Sequence, residues 1–268
     1  MNSIISWVGG KKALRDMIYQ RMPKEFGRYI EVFGGGGWVL FGRDEFNVLK
    51  KYPEKEEFTN EYLREELDIA QRVLSEPQFD EIKSILLENA QMNEVKRAAA
   101  FYRLIRLSYG SGCTSYGCQP FDIRKTFYLL WQGSRRLKDT VIENKDFEAL
   151  IKQYDRENAF IYCDPPYYQT EGHYEVVFKK DDHYRLRDTL ASCQGKWLVS
   201  YNDCEFIREL YKDFNIEAVS RINNLAQRYD NGCEYAEVLI SNYDTSERLQ
   251  DMPTQLGLFD LTGAYGME

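Results

Sequence analysis

The pattern of hydrophobic positions divides the chain into stretches typical of strands and stretches typical of helices. Short apolar runs rich in β-branched and aromatic residues predict strands at 29–33, 57–59, 159–163, 196–201 and 235–241. Apolar residues spaced three and four apart predict helices between Leu63 and Leu137, and further helices over 181–192 and 203–212. A glycine- and serine-rich run at 108–117 interrupts the long helical stretch and is predicted to be a loop.

This order of elements predicts an α/β protein whose sheet domain is split by a helical insertion. The sheet domain comprises residues 1–62 and 141–245, and the insertion comprises residues 63–140. Residues 246–268 show no clear periodicity and are predicted to form a tail. With 268 residues, of which 43% are apolar, the chain can bury a large core without disulfides or metals.

Composition excludes several classes of protein. The only two histidines, His173 and His183, argue against a His-rich metal centre and a Ser-His-Asp triad, so we predict no metal site. Both are expected to be surface or partner-facing residues and not ligands. Six cysteines form no C-x-x-C pair, which is typical of reduced thiols in a cytosolic protein. We find neither an apolar run of the ~18 residues that cross a bilayer nor a signal-peptide pattern.

Taken for the whole chain, the net charge of −8 argues against a nucleic-acid partner. The distribution of the charges along the chain changes this conclusion. Residues 96–138 contain nine basic residues and one acid, Asp122, so this segment carries +8 and the rest of the chain carries −16. Aromatic residues are interleaved with the basic ones. A basic, aromatic surface on an acidic body favours contact with phosphates and bases.

The strongest chemical signal is Asp164-Pro165-Pro166-Tyr167, which directly follows the strand predicted at 159–163. Open α/β sheets bind their ligands at the carboxyl ends of strands. The two prolines have no N–H, so the backbone here offers carbonyl acceptors, to which Asp164 adds a carboxylate and Tyr167 a flat ring. Such a group suits a planar base with an exocyclic amine, such as adenine. A rigid surface turn is the alternative.

The second signal is Phe33-Gly34-Gly35-Gly36-Gly37, between a predicted strand and a predicted helix. Glycine lets the backbone approach a ligand closely. Glu61, at the end of the next predicted strand, is placed to bind ribose hydroxyls, or else is an acid in the first turn of a helix. The glycines do not follow the GxxxxGK[ST] pattern, so a P-loop NTPase is not supported.

Taken in order, these motifs resemble the Dam-type (D12 class) DNA adenine-N6 methyltransferase family. Trp7-Val8-Gly9-Gly10-Lys11 is similar to its W-x-G-G-K motif, and 33–37 is similar to its F-x-G-x-G motif. Residues 164–167 match its D-P-P-Y motif, and 199–203 resemble the strand and turn that follow. The resemblance covers most of the chain. It implies a Rossmann-like, S-adenosylmethionine-dependent methyltransferase sheet with a mostly helical target-recognition insertion.

The resemblance also implies roles for individual residues. It implies that S-adenosylmethionine is bound by Trp7, Lys11, Phe33, Gly35, Gly37, Glu61 and Asp164. It implies catalysis by Asp164, Pro165, Pro166 and Tyr167 on an adenine flipped out of duplex DNA. Tyr167 is expected to stack on the base, while Asp164 and the Pro165 carbonyl accept hydrogen bonds from its N6 amine. Transfer is then direct, with proximity supplying most of the catalysis.

The insertion supplies the predicted DNA contacts. These are its basic residues and the polar and aromatic residues of the 108–117 loop: Arg103, Arg106, Tyr109, Ser111, Tyr116, Arg124, Lys125, Arg135 and Arg136. Weaker candidates follow in a predicted late hairpin: Arg221, Gln227 and Arg228. Ordinary solvated helix faces are the alternative for several of the basic residues. The segment 169–180 is predicted to be a flap beside the catalytic loop.

The tail contains Gln255-Leu256-Gly257-Leu258-Phe259. It resembles the pentapeptide with which bacterial proteins bind the sliding clamp, so Gln255, Leu256, Leu258 and Phe259 are candidate clamp contacts. Packing of these apolar residues on the parent domain is the alternative.

The sequence therefore predicts a monomeric, cytosolic, prokaryotic or phage enzyme that methylates adenine N6 at specific sites in double-stranded DNA. Three alternatives stay open: an RNA adenine-N6 methyltransferase, a DNA cytosine-N4 methyltransferase and a non-catalytic DNA-binding relative.

Overall fold

A computed structural model describes residues 1–5, 7, 9–42, 80, 82–84, 94–118, 122–169, 178–222 and 234–249. The chain divides into two compact units. The glycine-loop unit comprises Met1–Arg15 and Phe33–Asp146, and the sheet unit comprises Asp16–Val32 and Phe147–Glu268. The strand that precedes the glycine loop thus belongs to one unit and the loop itself to the other.

The described elements follow one another in an α/β order. The helices are α1 (Arg15–Arg21), α2 (Trp38–Gly42), α3 (Glu94–Leu107), α4 (Phe127–Arg136), α5 (Phe147–Tyr154), α6 (Lys180–Ala191), α7 (Glu205–Leu210) and α8 (Ser246–Leu249). The strands are β1 (Arg28–Glu31), β2 (Ala159–Cys163), β3 (Lys196–Asn202), β4 (Asn215–Ile222) and β5 (Glu234–Ser241). Two short 3₁₀ turns lie at Tyr109–Ser111 and Ile123–Thr126.

The described strands form one five-stranded sheet in the order β1-β2-β3-β5-β4. Strands β1, β2 and β3 pair in parallel, whereas β5 is antiparallel to both β3 and β4. In the register of β2 and β3, Cys163 lies opposite Val199. The residues after these two strands therefore emerge at the same edge of the sheet, where open α/β folds place their ligands.

Burial explains why the central strands form. All five residues of β2 are buried, as is typical of a parallel strand covered on both faces. Helix α5 buries Phe147, Leu150 and Ile151, and α6 buries one stripe that includes Leu186 and Leu190, while their other faces stay polar. The sheet unit thus buries its apolar strands beneath amphipathic helices.

The glycine-loop unit has a small core of its own. Ala99, Tyr102 and Ile123 are buried together, with Ile4 and Phe127 among the residues packed against them. The first residues of the chain therefore pack on helices of the predicted insertion. The compact units divide the chain differently from the predicted domains, and the assignment of 1–62 and 141–245 to catalysis and of 63–140 to recognition stays a prediction.

The structure confirms the α/β fold class. The described strands at 159–163, 196–202 and 234–241 coincide with predicted ones to within a residue, and 28–31 replaces the predicted 29–33. The predicted strand at 57–59, most of the helical stretch from Leu63 to 93 and the centre of the predicted flap lie outside the described residues. No helix in the described part of the chain is long and apolar enough to cross a membrane.

The surface position expected for His183 is wrong. The side chain is fully buried, its Nδ1 lies 2.8 Å from the Tyr201 hydroxyl, and its ring packs against Phe178. His183, Leu186 and Leu190 are spaced three and four apart on one face of α6, so helical periodicity already marked the position as inward-facing. His173 lies outside the described residues.

We predict that Gly195→Ala destabilises the fold by about 1–3 kcal/mol, because the added methyl group would overpack a turn. A Cβ there would lie 2.8 Å from the carbonyl oxygens of Ala159 and Arg156. Urea unfolding followed by circular dichroism measures the loss. Gly112→Ala is the control, since its Cβ meets nothing closer than 3.5 Å and stability should stay within about 0.5 kcal/mol. Equal stability of the two variants would contradict this account.

Candidate active site

Asp164 leaves the end of β2 with its carboxylate held by the neighbouring strand. Ser200 Oγ donates a hydrogen bond to Asp164 Oδ1 at 3.0 Å. Tyr162 OH lies 3.1 Å from the same Ser200 oxygen. A serine hydroxyl has one proton, and it is committed to Asp164, so Tyr162 must be the donor in the second bond. A directed chain of hydrogen bonds, Tyr162 to Ser200 to Asp164, therefore orients the carboxylate.

Tyr167 is anchored at the far end of the same loop. Its side chain is buried, its hydroxyl donates a hydrogen bond to Glu237 Oε2, and its ring lies 6.0 Å from that of Tyr201. Burial, followed by the nearby carboxylates of Asp164 and Glu237, raises the pKa of the Tyr167 hydroxyl well above its ordinary value. The hydroxyl thus stays protonated at neutral pH and remains a donor.

The next residue, Tyr168, is also fixed by β3 and its flanking helices. Asn202 Nδ2 donates to the Tyr168 carbonyl oxygen at 3.1 Å. The Tyr168 ring packs 4.2 Å from Phe206 and edge-on to His183. Gln169 then takes a left-handed φ of 68°, which is uncommon outside glycine and turns the chain sharply. Pro165 is buried and Pro166 half-buried within this rigid segment.

Within the glycine-loop unit, the glycine loop packs against the N-terminal motif that contains Trp7. A Cβ on Gly35 or Gly36 would lie 3.1 Å from the Trp7 side chain, and Gly35 and Gly37 have left-handed φ values of 46° and 63°. Any larger residue at 35 or 37 would be strained. By contrast, nothing lies within 4 Å of a Cβ on Gly34, so this side of the loop is open.

The other predicted cofactor residues have differing positions. Lys11 is only 6% exposed, and its Nζ donates to the Gly9 carbonyl oxygen at 3.1 Å. Trp7 is 38% exposed despite its contact with the loop, and Phe33 is half-buried. Glu61 lies outside the described residues. An aromatic face, a buried ammonium group and an open glycine backbone fit a donor that carries both a nucleoside and an amino-acid carboxylate.

The predicted recognition loop is closed by its own backbone. Ser108 and Tyr116 form an antiparallel bridge, and the Tyr109 amide donates to the Ser115 carbonyl oxygen at 2.8 Å. Ser111 and Cys113 have left-handed φ values of 61° and 55°. The structure thus brings Tyr109, Ser111 and Tyr116 into one tight loop, on which the Tyr109 side chain is 60% exposed.

The predicted DNA-binding cations differ in their exposure and in the groups that they contact. Three are engaged inside their own unit: Arg106 donates to the Ile4 carbonyl, Arg136 donates to the Leu40 carbonyl at 3.4 Å, and Arg135 lies 4.0 Å from the Trp131 ring centroid. Burial lowers the pKa of Arg103, which is half-buried. Lys125 is exposed.

The remaining candidates lie outside the described side chains. They are Arg124, Arg221, Gln227, Arg228, Gln255, Leu256, Leu258 and Phe259.

Sequence reasoning assigned no role to Glu237 or to the hydroxyl of Ser200. Glu237 is the one charged residue in the run Tyr235-Ala236-Glu237-Val238-Leu239-Ile240, and it is completely buried. A charge in the middle of an apolar strand is the signal that could have singled it out, although its partner could not have been named.

Comparison of the sequence with known proteins identifies a family. Residues 7–225 match the model of the D12 class N6 adenine-specific DNA methyltransferases. The type II methyltransferase M1.LlaDCHI of Lactococcus lactis subsp. cremoris is 26% identical over 88% of this chain and 94% of its own length. The type II methyltransferase M.CviBI of Paramecium bursaria Chlorella virus NC1A is 26% identical over 80% and 88%, respectively.

A third type II methyltransferase shares the similarity. The type II methyltransferase M.MjaIII of Methanocaldococcus jannaschii is 27% identical over 89% of this chain and 98% of its own length. The family match spans the W-x-G-G-K segment, the glycine loop and the D-P-P-Y loop. The chain belongs to the D12 class of N6 adenine-specific DNA methyltransferases.

Proposed function

We propose that the chain transfers a methyl group from S-adenosylmethionine to the N6 of adenine in a specific duplex DNA sequence, with residues 164–167 binding the adenine. The observation that carries this assignment is the Asp164 carboxylate, which Ser200 and Tyr162 hold in one orientation at the carboxyl edge of the sheet. A carboxylate fixed before the substrate arrives need not be reorganised during the reaction.

The donor-binding residues other than Asp164 are proposed to lie in the glycine-loop unit. S-adenosylmethionine, when bound, supplies an electrophilic methyl group on a sulfonium. The buried Lys11 ammonium is suited to its carboxylate, and the partly exposed Trp7 ring to its adenosine or sulfonium. The backbone at Gly34 is open to close approach, and Glu61 is proposed to bind the ribose hydroxyls.

The acceptor chemistry follows from the oxygens of the D-P-P-Y loop. The Asp164 carboxylate and the Pro165 carbonyl accept hydrogen bonds from the adenine N6 amine, which draws its lone pair out of conjugation with the ring. Pro165 and Pro166 have no N–H, so the backbone places no donor against the amine at these positions. The adenine must leave the helix to reach these groups, and Tyr167 offers its ring for stacking.

Asp164→Ala should reduce methyl transfer by more than about a hundredfold, because the amine loses the acceptor that aligns it. The assay follows transfer of labelled methyl from S-adenosylmethionine to unmethylated genomic DNA, while calorimetry checks that the donor still binds. Asp213→Ala, which removes an exposed carboxylate of the same unit, is the control and should keep full activity. Wild-type-like turnover by Asp164→Ala would contradict the role assigned to Asp164 in methyl transfer.

The products of the same reaction distinguish methylation of DNA adenine from methylation of DNA cytosine or of RNA adenine. Mass spectrometry of the digested product should detect N6-methyldeoxyadenosine, and neither N4-methyldeoxycytidine nor methylated RNA adenine from a parallel reaction on RNA. An inactive wild-type protein that still binds DNA would favour the non-catalytic alternative.

The DNA surface is proposed to include the closed loop 108–117 and the exposed basic residues near it. Tyr109 is largely exposed beside the backbone bridge that closes the loop, and Lys125 is exposed on the +8 segment. Because Arg106 and Arg136 hold backbone carbonyls of their own unit, their substitution would change folding as well as DNA binding. Substitution of an exposed cation therefore tests DNA binding more directly than substitution of either of these arginines.

Lys125→Ala should weaken DNA binding uniformly across sequences and reduce the slope of log K against log salt by about 1, since one phosphate contact is lost. Fluorescence anisotropy with a labelled duplex at several salt concentrations gives the slope. Lys145→Ala is the matched control, because Lys145 pairs with Glu143 at 3.0 Å outside the basic segment. Identical slopes for the two variants would show that Lys125 is not part of the DNA-binding surface.

The tail is proposed to dock on a bacterial sliding clamp through Gln255, Leu256, Leu258 and Phe259. A glutamine followed by apolar anchors suits a hydrophobic groove. Immobilised, purified clamp should retain the wild-type chain and the control Leu261→Ala, but not Leu258→Ala combined with Phe259→Ala. Equal retention of the double variant would end the clamp proposal. The monomeric state and the cytoplasmic location stay predictions.

A further inference from the structure

Three neighbouring strands each bury a polar side chain in the interior of the sheet. Tyr162 of β2, Ser200 of β3 and Glu237 of β5 are each at most 1% exposed. Burying a carboxylate among apolar strands costs free energy unless donors satisfy it, so a completely buried glutamate calls for a specific partner. The Tyr162 and Ser200 hydroxyls already serve Asp164.

Glu237 receives its donor from the catalytic loop. The Tyr167 hydroxyl, 70 residues away in sequence, donates to Glu237 Oε2. In the sheet register Glu237 lies opposite Asn202, whose side-chain amide holds the Tyr168 carbonyl. Neighbouring positions on β3 and β5 thus bind two consecutive residues of the loop.

The contact with Glu237 determines where the single proton of the Tyr167 hydroxyl is donated. Because the proton is donated to Glu237, the hydroxyl has none to donate to a substrate, and we assign contact with the base to the ring. The hydrogen bond anchors the phenolic oxygen and so resists rotation of the ring about the Cα–Cβ bond, which would carry that oxygen away from Glu237. A charged acceptor makes this restraint stronger than a neutral one would.

We propose that Glu237 is a positioning residue for methyl transfer, which fixes the Tyr167 ring through its hydroxyl and so holds the base in line for reaction. The inference rests on the proposed role of residues 164–167. It predicts that the Glu237 carboxylate acts only through the Tyr167 hydroxyl: once the hydroxyl is removed, changing Glu237 lowers kcat no further.

The test is a double-mutant cycle on the full chain with Tyr167→Phe, Glu237→Gln and the combination. Steady-state transfer from S-adenosylmethionine to unmethylated genomic DNA gives kcat and KM for DNA. We expect Tyr167→Phe to lower kcat about tenfold while KM changes less than about twofold, since the ring stays but loses its restraint. Glu237→Gln keeps an acceptor oxygen and should lose less, and the combined variant should be no slower than Tyr167→Phe.

Ser241→Ala is the matched control. Ser241 is completely buried on the same strand, and its hydroxyl donates to the Tyr243 carbonyl oxygen at 2.7 Å, away from the catalytic loop. Its kcat should equal that of the wild type even if its melting temperature falls. A purely structural role for Glu237 predicts additive losses or losses in KM instead.

The outcomes separate this inference from the proposed function. Additive losses in the cycle overturn the positioning role, as does wild-type kcat in Tyr167→Phe, which tests the contact even if the Glu237 variants do not fold. In either case an active wild type and an inactive Asp164→Ala would leave the proposed function standing. A wild-type chain that transfers no methyl group overturns the function and the inference together.

Discussion

The position of the Asp164-Pro165-Pro166-Tyr167 loop depends on the parallel pairing of β2 with β3. Cys163 lies opposite Val199, so the residues that follow, Asp164 and Ser200, meet at 3.0 Å. Side chains alternate between the two faces of a strand, and a slip of one residue would turn Ser200 away from the carboxylate. The buried apolar sequences of both strands hold the register, so core packing fixes the geometry of a polar contact.

The sheet interior carries more polar chemistry than its apolar strands suggest. Two carboxylates, Asp164 and Glu237, stand at the same edge, and each accepts a hydrogen bond from a hydroxyl of the sheet or the loop. These hydrogen bonds offset part of the cost of removing the acids from water. They also immobilise both ends of a four-residue loop whose two prolines already restrict its backbone. Rigidity in this loop therefore comes from covalent and hydrogen-bonded restraints together.

Basic residues in the glycine-loop unit divide between holding the fold and facing solvent. The Arg106 and Arg136 guanidinium groups bind carbonyls of Ile4 and Leu40, whereas Lys125 extends from an exposed position. The +8 charge of residues 96–138 thus overstates the number of cations available to DNA. A basic segment within a chain of net charge −8 attracts phosphates more strongly than the acidic remainder does.

The sequence by itself determined the fold class, three of the sheet strands to within a residue, and the family, because apolar runs and the D-P-P-Y and glycine motifs are local features of the chain. It placed His183 at the surface, although helical spacing with Leu186 and Leu190 marked the inward face. It could not link Tyr167 with Glu237 or Ser200 with Asp164, since strand order and register decide which distant residues meet. Nor could it tell which arginines face solvent, because that depends on the backbone carbonyls that the fold brings within reach. Periodicity reports which side of an element is buried, whereas the partner of a buried polar group exists only in the tertiary structure.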